Sequence, residues 1–183
     1  MGEQRLNEVL LAAQAGQAWA LSAVYAELAP RVHGYLRSRG ASEPEDLTSE
    51  VFLAVFGRLS TVTGGAAGLR TLVFSVAHAR LVDDLRRRSR REPTVPFQDD
   101  RDVRTTASAE DSALAAVATE QVRAVLACLP DDQRDVLLLR IVADLTVEQV
   151  AVAIGRSAGA VKQLQRRALL TLRTQVTDVV VPL

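Results

Sequence analysis

Three groups of side chains along this sequence are of types and spacings that do chemistry, and two of them are cationic. Lys162, Arg166 and Arg173 recur at offsets of four and seven, which is helical spacing, with Gln163 and Arg167 beside them. Arg86-Arg87-Arg88-Ser89-Arg90-Arg91 puts five guanidiniums into six residues. Guanidiniums are planar forks of donors that fit phosphates and guanine edges. The third group is anionic: Asp46 and Glu50, four apart, share one face of a helix. Paired carboxylates serve acid–base chemistry, yet no nucleophile or metal-ligand set accompanies them. The sequence has two histidines, His33 and His78, and one cysteine, Cys128. It has no His-Glu-x-x-His, phosphate-loop or serine-elbow motif, and Gly64-Gly65 lacks the spacing of a dinucleotide loop. The expectation is a binding protein with no catalytic residues, no metal and no cofactor. His33, His78 and Cys128 read as ordinary packing or surface residues.

The 183 residues allow one domain or two small ones, and 48 % apolar with 24 % charged residues suits a folded core. No apolar run approaches the ~20 residues of a bilayer span. No basic segment followed by an apolar stretch opens the sequence, and the single cysteine excludes an internal disulfide or a Cys-rich zinc site. These features lead us to expect a cytoplasmic protein that does not insert into membranes. Net charge is zero, from 22 basic and 22 acidic side chains, but the signs are segregated. Glu43, Glu45, Asp46 and Glu50 form one acidic block, and Asp99, Asp100, Asp102, Glu110 and Asp111 another, with the arginine run between them. Local pattern therefore says more than the sum.

The elements that must position these groups are helical throughout. Leu6, Val9, Leu10 and Ala13 follow a helical period that Gly16 ends. A second helix is expected from about Gln17 towards Arg39, with Trp19, Val24, Leu28, Val32, Tyr35 and Leu36 inward and Pro30 as a kink or break. Ser42 is expected to cap a third, striped by Leu47, Val51, Val55 and Leu59. Ser60 to Gly68 reads as a loop. A helix from Leu69, carrying Leu72, Val73, Val76, Val82 and Leu85, then runs into the arginines. Between Glu92 and about Glu110, Pro93, Pro96, paired acids and Thr105-Thr106 mark a linker with a typical span of roughly 25 Å. Helical patterning resumes at Ser112 and continues to about Val176. The fold class is all-α, two small helical domains joined by a flexible linker: 1–91, linker 92–111, 112–177, and a tail 178–183.

The most specific local signal lies between Asp144 and Arg173. Thr146-Val147-Glu148-Gln149 fits a capping box, opening a short helix with Val147, Val150, Ala151 and Ile154 on one face. Gly155 allows a tight turn. Ser157 can cap a longer helix with Val161, Leu164, Ala168 and Leu172 on one side and Lys162, Arg166 and Arg173 on the other. Two short helices around a glycine turn, the second basic outside, make a helix-turn-helix. A solvated helical hairpin has the same spacing.

The sequence resembles the extracytoplasmic-function (ECF) sigma factors of the sigma-70 family, bacterial transcription initiation factors with two domains. Tyr25 to Leu36, Glu45 to Leu53, Phe74 to Ala77 with Val82 to Arg88, Leu129 to Arg134 and Ala160 to Leu169 carry the resemblance in the family's order. It implies a factor that binds core RNA polymerase and reads promoter DNA at the −10 and −35 elements, with an anti-sigma factor as a further partner. It implies polymerase contacts at Asp46, Glu50 and Phe52, and −10 contacts at Arg80, Asp83, Arg87 and Arg88. It implies −35 contacts at Arg156, Ser157, Lys162, Gln163, Arg166 and Arg167. The Ser60 to Gly68 loop falls where the family captures a flipped base. Leu72 stands where many members have tryptophan, leaving Phe74 as the segment's aromatic. Two alternatives are a helix-turn-helix regulator that does not act through polymerase and a helical adaptor that binds only protein.

Overall fold

The computed structural model describes residues 2–90 and 125–180, with side chains placed through Gln175. Every regular element among the described residues is a helix. The expected linker at 92–111 lies outside them, as do the residues after Val180.

In the N-terminal unit, α1 (Glu3–Gln14), α2 (Ala18–Ser38), α3 (Pro44–Phe56) and α4 (Gly65–Arg90) pack together, with a 3-10 turn at Leu59–Thr61. The expected stripes of α1 and α3 are buried. Along α2, Val24, Leu28, Val32, Tyr35 and Leu36 turn inward, but Trp19 does not. It is 58 % exposed and donates its indole N–H to Gln17 Oε1 at 2.6 Å, while Ala20 takes the core position four residues before Val24. Pro30 does not break the helix. It and Ala26, whose carbonyl loses its partner, are both exposed, so the missing bond falls on the solvent side.

Two helix starts differ from the sequence expectation. Pro44 at the first position fixes the start of α3. Ser42 does not cap it; its backbone N–H and hydroxyl both donate to Asp84 on α4. The helix α4 begins at Gly65, four residues before Leu69. Asn7 of α1 accepts from the Ala66 N–H at 2.5 Å, supplying from another helix the acceptor that a local cap provides. Gly68 lets this first turn close on the chain before it, because a Cβ there would meet the Thr63 carbonyl oxygen at 1.8 Å. The loop thus shrinks to residues 62–64 behind the 3-10 turn.

The C-terminal unit comprises α5 (Asp131–Ile141), α6 (Val147–Ile154) and α7 (Ala158–Val180). The last helix reaches four residues past the expected end at Val176 and into the expected tail. Arg134 ties α5 to the preceding chain by donating to the carbonyls of Leu126, Ala127 and Leu129. The two units pack face to face, with α6 against α4. Val136, Leu139, Leu145, Val150 and Val161 join one continuous buried cluster with Val73, Ala77 and Leu81.

Candidate DNA and polymerase interfaces

The helix-turn-helix is built as its sequence requires. Thr146 accepts from the Gln149 N–H at 3.2 Å, and Gln149 Oε1 accepts from the Thr146 N–H at 2.7 Å, a closed capping box. Gly155 takes the left-handed conformation, φ 65° and ψ 39°, that ends α6, and the Arg156 N–H returns to the Ala151 carbonyl. Ser157 accepts from the Ala160 N–H at 3.2 Å and so caps α7. Val161, Leu164 and Ala168 are buried, which turns Arg156, Ser157, Lys162, Gln163, Arg166 and Arg167 out to solvent. Forked and amide donors on one exposed face of a helix suit base edges and flanking phosphates.

A second cationic surface ends α4. Asp83, Arg86, Arg87, Arg88 and Arg90 are exposed, and Arg88 donates to the Gly40 carbonyl at 2.5 Å. Asp84 is buried between them. Arg80 lies 3.8 Å from Glu50, both half exposed, a surface pair of small energy that leaves its guanidinium available. Phe74, the aromatic expected near the DNA, is fully buried edge-on against Tyr35, so it offers no stacking face.

The anionic surface lies on α3. Asp46 and Glu50 are exposed on one face, but Phe52 is not with them. It is 1 % exposed and packs between Tyr25 and Phe56, so its ring is not on the surface that Asp46 and Glu50 present. Leu53, 75 % exposed, completes the i, i+4, i+7 series from Asp46. The spacing of Leu53 from the two acids was the readable signal for it. Nearby, His33 Nε2 lies 3.0 Å from Glu45 Oε1. The backbone N–H of Glu45 at the start of α3, with His33, holds that carboxylate below its usual range.

The loop before α4 lines a groove of about 530 Å³. Thr61, Thr63, Gly68 and Leu72 form one side, and Glu148, Gln149 and Val152 of α6 the other. Gln149, besides closing its capping box, donates Nε2 to the Ala67 carbonyl at 3.2 Å.

Between the units lies a polar cluster that sequence reasoning missed. Arg39 and Asp135 are both buried, joined at 2.6 Å through Nε and Oδ1, and Arg39 also donates to Asp131 at 3.0 Å. The Tyr35 hydroxyl donates to Asp135 at 3.0 Å and stands 2.9 Å from His78 Nδ1. A carboxylate only accepts, so the phenol proton points to Asp135 and His78 donates from Nδ1. Burial pushes the Tyr35 phenol well above its ordinary value, and the Asp135 charge pushes it further. Burial opposes the charge on Arg39, but Asp135 and Asp131 outweigh it and hold the guanidinium more firmly protonated. Removing one partner of such a pair strands the other charge at a cost of about 3–5 kcal/mol.

Comparison with known proteins settles the family. Residues 24–91 match the family described as Sigma-70 region 2, and residues 125–174 the one described as Sigma-70, region 4. Over 96 % of its length the chain is 32 % identical to the ECF RNA polymerase sigma factor SigD of Mycobacterium tuberculosis, 86 % of which it covers. The chain belongs to the ECF sigma factors. It is also 34 % identical to the ECF RNA polymerase sigma factor ShbA of Streptomyces griseus, over 86 % of this chain and 88 % of that one. The fold is shared with CnrH, solved in complex with the cytosolic domain of CnrY. That match has a TM-score of 0.68 and 17 % identity, and covers 94 % of this chain and 97 % of CnrH. The protein is therefore an alternative sigma factor, a DNA-binding initiation factor that directs RNA polymerase to promoters. No described helix of this sigma factor is long and apolar enough to cross a membrane.

Proposed function

We propose that the three exposed surfaces divide the work of initiation among named side chains. Asp46, Glu50 and Leu53 on α3 grip core polymerase, with Phe52 fixing the face from behind. Arg80, Asp83, Arg87 and Arg88 on α4 face the −10 element, and the groove beside Gly68 receives a base extruded from the duplex. Arg156, Ser157, Lys162, Gln163, Arg166 and Arg167 meet the −35 major groove and its phosphates. The observation that carries this reading is the separation of charge in space: the acids of α3 and the cations of α7 are all exposed, on different units. One polymerase-directed anchor then positions two DNA-directed ones.

Each module alone has a small footprint. Holding both on polymerase raises the effective concentration of the second at its element to roughly millimolar, which makes promoter recognition conditional on the partner. The factor acts without catalysis of its own, in the cytoplasm with polymerase and chromosome. An anti-sigma factor covers these surfaces until it is released; the complex of CnrH with the cytosolic domain of CnrY supports this by fold alone.

Binding to core polymerase, measured by fluorescence anisotropy of labelled factor, tests the α3 assignment. The wild type binds, and the Asp46→Lys, Glu50→Lys double variant loses about tenfold or more with its helicity intact. Equal binding by the two excludes α3 as the polymerase face.

A further inference from the structure

Stacking on an aromatic ring is the sequence-tolerant way to hold an unstacked base. The groove beside Gly68 does not offer it: Leu72 stands on its wall, Phe74 is buried elsewhere, and none of its lining residues is aromatic. On the N-terminal unit's side, the Thr71 and Ser75 hydroxyls donate to carbonyls of α4 itself. Discrimination between bases therefore falls to the loop ahead of α4, where Thr63 and Gly64 are exposed. Hydrogen-bond readout is steep in distance and angle, so it favours a loop held in place over one that orders on contact.

That hold comes from α1, which lies ahead of residue 24, where the match to Sigma-70 region 2 begins. Asn7 and Gln14 sit seven residues apart, about two helical turns, beside the buried stripe of Leu6, Val9, Leu10 and Ala13. Gln14 Nε2 donates to two carbonyls where the chain enters the loop, Leu59 at 2.9 Å and Val62 at 3.0 Å. Asn7 Oδ1 accepts from the Ala66 N–H at 2.5 Å where the chain leaves it. Gly65, at φ 61°, admits this contact, because a Cβ there would strike the Asn7 amide. All three bonds go to main-chain groups, so they set the path of the loop independently of the side chains at its tip.

We propose that Asn7 and Gln14 are positioning residues for base selection: α1 clamps both ends of the loop so that its exposed tip discriminates the base extruded from the −10 element. The clamp rests on the reading of the groove given under the proposed function. Its two ends differ in chemistry. The Asn7 end needs an acceptor, which Asp also supplies and which the positive end of α4 favours. The Gln14 end needs a donor facing two carbonyls, which Glu, of the same length, lacks.

Run-off transcription with core polymerase from templates randomised across the −10 window, followed by sequencing, reads the preference at each position. Thr63→Trp, at the exposed tip, identifies the position that the loop controls. There the ratio of preferred to disfavoured base falls about five- to tenfold in Asn7→Ala and in Gln14→Glu, and Asn7→Asp retains it. Preferences at the other positions and affinity for core polymerase change by less than about twofold. Amide exchange over residues 59–66 of the free factor speeds up in Asn7→Ala and Gln14→Glu but not in Asn7→Asp, with melting still cooperative. A uniform loss of transcripts with every preference intact is what a merely destabilised unit gives, and it overturns the clamp. A preference altered by Thr63→Trp but by neither Asn7→Ala nor Gln14→Glu also overturns it, and leaves the groove reading standing. Preferences unmoved by every variant, Thr63→Trp included, refute the groove reading and the clamp with it.

Discussion

Asp84 receives two hydrogen bonds from Ser42, 3.2 Å from its backbone N–H and 2.8 Å from its hydroxyl, while the neighbouring Asp83 faces solvent. Two acids adjacent in sequence therefore do unrelated things. One ties the turn between α2 and α3 to the arginine-bearing end of α4; the other lies among the exposed cations proposed to face the −10 element.

Substitution separates these roles. Asp84→Ala leaves the Ser42 N–H and hydroxyl without their acceptor and is expected to cost about 2–3 kcal/mol of stability in urea titration. Asp83→Ala changes stability by less than about 0.5 kcal/mol and alters −10 recognition instead. Equal stabilities of the two variants contradict the assignment.

Phe52 and Leu53 make a similar pair on α3. Phe52→Ala removes a fully buried ring and is expected to cost about 3–5 kcal/mol. Leu53→Asp leaves the melting temperature within a few degrees of the wild type but weakens binding to core polymerase. Normal polymerase affinity of the Leu53→Asp variant removes that residue from the interface.

On α7, Lys162→Ala and Arg166→Ala each remove one exposed cation and, with it, one proposed groove contact. Each is expected to weaken −35-dependent binding by about 1–3 kcal/mol where it reads a base edge. Where a side chain meets only phosphate, its loss lowers the slope of log affinity against log salt by about 0.9. Salt titrations on promoter duplexes distinguish the two roles, and a variant changed in neither respect does not touch DNA.

His78 is expected to make stability sensitive to acid. Burial holds its imidazole below the ordinary value; Asp135 pulls the other way and Arg39 adds to the depression. The Tyr35 hydroxyl is the remaining polar group facing it. A depressed value means the folded chain stays neutral where the unfolded chain takes up a proton. The stabilisation is thus complete above about pH 6.5 and is lost as pH falls below it. Tm measured from about pH 8 to 5.5 should be flat and then decline, and His78→Gln should remove that decline. A decline of the same size in the variant assigns it to other groups.

Much of this was legible in the chain. The capping box at Thr146, the turn at Gly155 and the alternation of Val161, Leu164 and Ala168 with Lys162 and Arg166 are local rules, and the structure follows them. The misreadings arose where a distant partner decided the outcome. Asn7 moved the start of α4 by supplying an acceptor from another helix, and Asp84 drew Ser42 away from capping. Phe52 and Phe74 were recruited to the core because neighbouring helices offered aromatic edges there. Asp135, Arg39, Tyr35 and His78 carry no spacing signal, since Asp135 is ninety-six residues from Arg39 along the chain.

With core polymerase, this sigma factor is expected to select promoters by two separated elements. Run-off RNA sequencing from a template library randomised across both promoter windows tests it most directly. The expected transcripts depend on the factor, are enriched for two sequence blocks at one fixed spacing, and are lost on reversing Asp46 and Glu50. Transcripts no more abundant or specific than those of core polymerase alone contradict it.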